Sequence, residues 1–342
     1  MAENLTFILT IILIIMGISL AFSIGANDET LAPLVGANVL RFRVALLIGG
    51  IATGFGMIFF SQGVGKTVGA DILGPGIQYS IFMLLSVLIS SIIWLIVGSF
   101  IGIPLSSTHS TIGSIFGVVL VYSIFRGGIN PILAFNYEKL GSVVLSWFLS
   151  PLFGLIVTFV LFRVIAKSYL SKLKGLNQIE NTERKIKWIL FFSVIFAEIW
   201  VGANSAECIG IFYGLFYSGS INSGQYYFFV IICGIFVFLG IYFAGRYVIK
   251  NLASQMTGAR PSEGLILQSS SSLILMIATL LSLPISHSHV VVFSIIGLNL
   301  AQKKEISKKS IGKMSLYWFL TFPIAAILAS LIYLGFIILG FN

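Results

Sequence analysis

Two short polar motifs interrupt an otherwise apolar sequence, and each occurs twice. Gly25-Ala26-Asn27-Asp28-Glu29 returns as Gly202-Ala203-Asn204-Ser205-Ala206. Ile103-Pro104-Leu105-Ser106-Ser107-Thr108-His109 returns as Leu283-Pro284-Ile285-Ser286-His287-Ser288-His289. The first repeat is offset by 177 residues, from Gly25 to Gly202, and the second by 180, from Pro104 to Pro284. Two motifs returning in the same order at nearly one offset mark an internal duplication. The first motif has the chemistry of a cation site. Glycine followed by polar residues inside a membrane segment predicts a helix break, and irregular backbone at that depth is tolerated where it lines a cavity or is buried in protein. Freed carbonyls and the Asp28 carboxylate then offer oxygen ligands. Asn27, Asp28, Asn204, Ser205 and Glu207 are the candidates for holding a coupling ion, with Asp28 as the ligand for sodium. Glu198 lies one turn before Gly202 and shares its helix face.

The second motif has the chemistry of an anion site. Proline is accommodated in the first turn of a helix, so the motif predicts helix starts at Pro104 and Pro284. Hydroxyls at a helix start stand beside free backbone N–H groups and the positive end of the helix dipole. Ser106, Ser107, Thr108, Ser286, His287 and Ser288 are the candidates for wrapping a small tetrahedral oxyanion. Glu29, His109 and His289 are candidates for passing a proton, since histidine titrates near neutral pH.

The elements that must position these residues are membrane helices. Of 342 residues, 58% are apolar and 9% charged, where soluble domains carry about 25% charged residues. The fold class expected is an all-α polytopic membrane protein. A spanning helix takes about 20 apolar residues, and ten segments meet that measure: 5–38, 44–62, 79–101, 105–125 and 140–166, then 188–217, 225–246, 262–283, 284–301 and 314–340. The first run follows Met1-Ala2-Glu3-Asn4 with no basic region before it, and reads as a membrane helix rather than a signal peptide. Residues 1–166 form one repeat, 167–187 a basic cytoplasmic linker, and 188–342 the second repeat. Five segments per half is an odd number, so the halves run in opposite directions. Such inverted-topology repeats, with broken or re-entrant helices, are built around a midplane substrate site.

The net charge of +9 belongs to loops rather than to a nucleic-acid surface. The 167–187 stretch, the Lys303–Lys313 loop, Arg41 with Arg43, and Arg246 with Lys250 and Arg260 all fall on one side if ten segments alternate. That side is cytoplasmic, which puts both termini outside the plasma membrane. Cys208 and Cys233 lie in apolar segments and form no metal pattern. Gly63-Val64-Gly65-Lys66-Thr67 imitates the end of a phosphate-binding loop, but Phe60 stands where that loop needs its first glycine.

The paired motifs resemble those of the inorganic phosphate transporter (PiT) family, whose duplicated Gly-Ala-Asn-Asp-Val-Ala-Asn is followed in each copy by Pro-Val-Ser-Thr-Thr-His. The resemblance covers both halves. It implies cation-coupled anion uptake, termini outside and a homodimer, with sodium near the Asn-Asp pairs and phosphate on the Ser/Thr motif. Ser205 replaces the second Asp, Leu31 and Cys208 replace the final Asn of each copy, and His287 replaces a Thr. Losing these groups weakens two symmetric sodium sites and keeps proton coupling open. A related branch of sulfate permeases keeps sulfate open as well; the acidic residues near the site favour phosphate, whose proton a carboxylate can accept. No cofactor is expected beyond a co-transported sodium ion or proton. A passive anion channel and a membrane-embedded enzyme are the weaker readings: no HExxH or GxSxG is present, and channels need no duplicated half-site.

Overall fold

The computed structural model describes residues 2–28, 30–37, 39–101, 105–126, 128–246, 249–250, 260–305 and 308–341. Among these the chain is almost wholly helical. The first half carries α1 (Ala2–Ala26), α2 (Ala32–Gly36), α3 (Phe42–Phe60), α4 (Gln62–Lys66), a π-helical turn Thr67–Asp71, α5 (Ile81–Ile101), α6 (Ser107–Phe125) and α7 (Tyr137–Ser168). The second carries α8 (Leu176–Asn204), α9 (Glu207–Tyr217), α10 (Ser223–Phe243), α11 (Pro261–Leu280), α12 (His287–Gln302) and α13 (Lys308–Ile338). Among the described residues helices occupy each of the ten expected segments, with 5–38 and 188–217 each divided into two helices. Eight stretches among the described residues are long and apolar enough to cross a membrane. The apolar stretch Ile81–Val97 of α5 and the 16 residues of α12 fall short of that measure.

The outer faces are apolar because they meet lipid: Phe148, Leu152 and Phe153 on α7 and Phe319, Ile327 and Leu331 on α13 are exposed. Polar side chains turn inward instead, and Ser90, Ser91, Thr53, Glu198, Gln268 and Ser270 are all buried. That inversion is what a bilayer solvent demands.

The two halves exchange partners. α1 packs on α10 while α8, its sequence counterpart, packs on α3; α6 packs on α13 while α12 packs on α7; α3 and α10 pack on each other. Glycines make the first exchange possible. A Cβ on Gly25 would lie 2.1 Å from the Val237 carbonyl oxygen, and one on Gly240 2.1 Å from that of Phe22. The corresponding positions repeat the contact: Gly202 would meet the Thr53 carbonyl at 1.9 Å and Gly56 that of Ile199 at 1.8 Å. Small residues let membrane helices approach backbone to backbone. The first glycine of each Gly-Ala-Asn motif is therefore a packing residue, and the helix break expected at it comes later. α1 ends at Ala26, and α8 runs through Asn204 before α9 begins at Glu207.

The 167–187 linker is largely helical rather than a loop. α8 starts at Leu176 and carries it into the membrane segment. Glu183 accepts from the Ser262 backbone N–H (2.9 Å) and hydroxyl (2.7 Å), which docks the linker on the start of α11. Lys66 of the loop-like decoy pairs with Asp71 at 3.5 Å across the π-helical turn, far from any phosphate-loop geometry.

Candidate functional site

The two Pro-Ser turns meet the broken helices around one small cavity of about 60 Å³. One water needs roughly 10–15 Å³ by the same measure, so a small polyatomic ion fits. Ser23, Asn27 and Asp28 line it from α1 and the break after it; Leu105, Ser106, Ser107 and Thr108 from the start of α6; Ser205 from the α8–α9 break; and Ile285, Ser286, His287 and Ser288 from the start of α12. Thr53 of α3 completes the polar lining.

The helix starts lie three residues later than the prolines alone predict. Ser106 and Ser286 are the N-caps, in extended conformation, and the helices begin at Ser107 and His287. Pro284 serves instead to turn the chain, its carbonyl held by the Trp147 indole N–H at 3.0 Å. The two caps differ. Ser106 accepts from the His109 N–H (3.2 Å) and sits 2.7 Å from His109 Nδ1. Ser286 makes no side-chain cap, which leaves the first-turn N–H groups of α12 without that partner.

Each broken helix reaches the turn of the other half. Glu207 opens α9, and its Oε1 accepts from the Ser107 hydroxyl (2.9 Å) and the Thr108 hydroxyl (2.6 Å). Thr30 occupies the matching position in the first half and lies 3.2 Å from Nε2 of His287. Asp28 is buried: its Oδ1 accepts from the Thr30 N–H (2.9 Å) and hydroxyl (2.7 Å). Oδ2 of Asp28 and Oε2 of Glu207 find no hydrogen-bond partner among the described residues. A buried carboxylate oxygen without a donor fits a cation or proton better than it fits an anion. Asp28 is the one that also lines the cavity.

The paired asparagines do different work. Asn204 donates to the Thr279 hydroxyl and the Leu283 carbonyl, both at 3.0 Å, and accepts from the Ile285 N–H at 3.0 Å. Its amide is spent on holding the turn before α12. Asn27 is exposed, and its side-chain amide donates to the Ser23 carbonyl at 3.1 Å. His109 and His289 are buried beside the cavity rather than in its lining, their rings 4.8 Å apart and flanked by Trp147 (4.0 Å) and Trp318 (3.9 Å). Glu29 lies outside the described residues.

A model of the phosphate transporter family matches residues 24–329, spanning both copies of both motifs. The chain belongs to the phosphate transporter family. A relative from Rhizobium meliloti, named a probable low-affinity inorganic phosphate transporter, is 27% identical over 97% of this chain and 98% of its own. One from Pyrococcus furiosus, provisionally named a phosphate permease, is 26% identical over 94% and 95%. The fold matches a solved structure described as the sodium-dependent phosphate transporter, with a TM-score of 0.84 at 23% identity, covering 96% of this chain and 99% of that one. This family member is thus a multi-pass membrane transporter and not an enzyme.

Several polar residues around the cavity escape the motifs. Thr53 donates to Glu198 Oε2 at 2.7 Å, Gln268 donates to the Thr30 carbonyl at 2.5 Å, and Thr279 receives Asn204. The available signal was a polar residue inside an apolar span, which is functional by default; their partners lie in distant segments.

Proposed function

We propose that this chain is a secondary active symporter that carries inorganic phosphate across the plasma membrane, bound between the starts of α6 and α12 and coupled to a cation at Asp28. One observation carries the reading: two helix starts from different halves converge on a single small cavity whose lining also contains a buried carboxylate. Helix N-termini favour an anion, and Asp28 favours a sodium ion or a proton. Each ion then neutralises the other in a site of low dielectric. The exchanged packing of the halves supports an inverted-repeat arrangement in which one part rocks against the other around the site.

Radiolabelled phosphate uptake into proteoliposomes under an inward sodium gradient, an inward proton gradient, and neither, tests the reading. Accumulation should require one of the gradients and should vanish in Asp28→Asn while that variant remains folded. Downhill equilibration under all three conditions would make the protein a passive channel.

A further inference from the structure

Within the phosphate reading, the hydroxyls of the two helix starts face the cavity with opposite polarity. A serine or threonine hydroxyl has one hydrogen to give and two lone pairs. At the α6 start both hydrogens are committed to one atom, Glu207 Oε1, at 2.9 Å from Ser107 and 2.6 Å from Thr108. The alternative acceptor for Thr108, the Ile285 carbonyl, is farther at 3.3 Å. Glu207 is buried and stands behind these residues, outside the cavity lining. What Ser107 and Thr108 show the cavity is therefore lone pairs. Their helix is also capped, by Ser106 on the His109 N–H.

The α12 start is the reverse. Ser286 and Ser288 line the cavity, their hydroxyls make no hydrogen bond among the described residues, and the first turn of α12 has no side-chain cap. Hydroxyl hydrogens and backbone N–H groups are there to be given. The α6 hydroxyls accept and the facing α12 hydroxyls donate.

We propose that Glu207 is a specificity-determining residue: by claiming the hydrogens of Ser107 and Thr108, it makes the site select a tetrahedral oxyanion that carries a hydrogen of its own. Hydrogen phosphate places its unprotonated oxygens against α12 and its P–OH against the α6 hydroxyls. Sulfate is nearly the same size but has no hydrogen at neutral pH, and sets lone pairs against lone pairs. A site built around a substrate hydroxyl rejects the analogue lacking it far more strongly than a site reading size alone. The motif gives no hint of this. Ser205 stands where the resembling motif has Asp, and the carboxylate that reaches α6 arrives two residues later.

The test is competition against radiolabelled phosphate binding to the purified wild-type protein at pH 7, with arsenate, sulfate and selenate as competitors. Arsenate and selenate repeat the phosphate–sulfate contrast at a larger size. Arsenate should compete within about tenfold of phosphate, and sulfate and selenate at least about 100-fold more weakly. In Glu207→Ala, which frees both hydroxyl hydrogens, sulfate should gain at least about tenfold relative to phosphate. Sulfate or selenate competing within threefold of its hydrogen-bearing counterpart overturns the proposal and leaves phosphate transport standing. So does unchanged selectivity in a Glu207→Ala protein that still binds phosphate. Absence of phosphate binding at any pH overturns the transport reading and this inference with it. Where the variant fails to fold, the wild-type series alone can still overturn the proposal.

Discussion

The two motif asparagines are equivalent in sequence and should not be equivalent in energy. In Asn204→Ala the Ile285 N–H loses its acceptor at a residue that is 2% exposed. An orphaned buried donor costs about 1–3 kcal/mol, and the two bonds given to Thr279 and Leu283 add about 1 kcal/mol between them once Thr279 keeps its own bond to Leu275. The sum is about 2–4 kcal/mol. Asn27→Ala removes one local bond from an exposed side chain and should change stability by less than about 0.5 kcal/mol. Thermal unfolding of both variants in one detergent, followed by intrinsic fluorescence, makes the comparison. Asn204→Ala should lose several degrees and Asn27→Ala about one or none. Because the turn held by Asn204 carries Ser286 and Ser288, the Asn204→Ala protein should also show a raised KM for phosphate. Equal losses of stability in the two variants would refute the assignment of Asn204 as the clamp of this turn.

Three further outcomes follow from the geometry. Gly202→Ala puts a methyl group into the Thr53 carbonyl and should cost at least about 3 kcal/mol, read as loss of folded protein in detergent-resistant yield. Ser286→Ala combined with Ser288→Ala removes the free donors of the α12 start and should weaken phosphate binding by about tenfold or more, each neutral hydrogen bond contributing about 1 kcal/mol; isothermal titration measures it, and unchanged affinity would take these hydroxyls out of the site. Thr53→Val strips Glu198 Oε2 of a 2.7 Å donor and should destabilise by about 1–3 kcal/mol, visible as a lowered Tm.

The membrane class and the ten segments were legible because lipid imposes a length and a composition that no other solvent does. The duplicated motifs were legible because their residue types are costly in that solvent and so stand out. Their local geometry was less so. Glycine reads as a helix breaker from sequence, yet Gly25 and Gly202 lie in the last turns of α1 and α8, just ahead of the breaks, and serve a neighbour's carbonyl. Proline reads as a first-turn residue, yet α12 waits until His287. Nor does hydropathy carry pairing. That Glu207 would take the Ser107 and Thr108 hydrogens, or Gln268 the Thr30 carbonyl, depends on which segments of opposite halves meet, and periodicity within one segment is silent on that.

The exchanged glycine seams bear on how such a chain is made. α1 leaves the ribosome with a backbone groove shaped for α10, and α3 with one shaped for α8, and neither partner exists until the second half has been synthesised. These two seams of the first half therefore stay open to lipid until the second half is inserted. By the same token, a chain of half this length would hold these glycine grooves with no partner of its own to fill them, and joining both halves in one chain supplies that partner in a fixed one-to-one ratio.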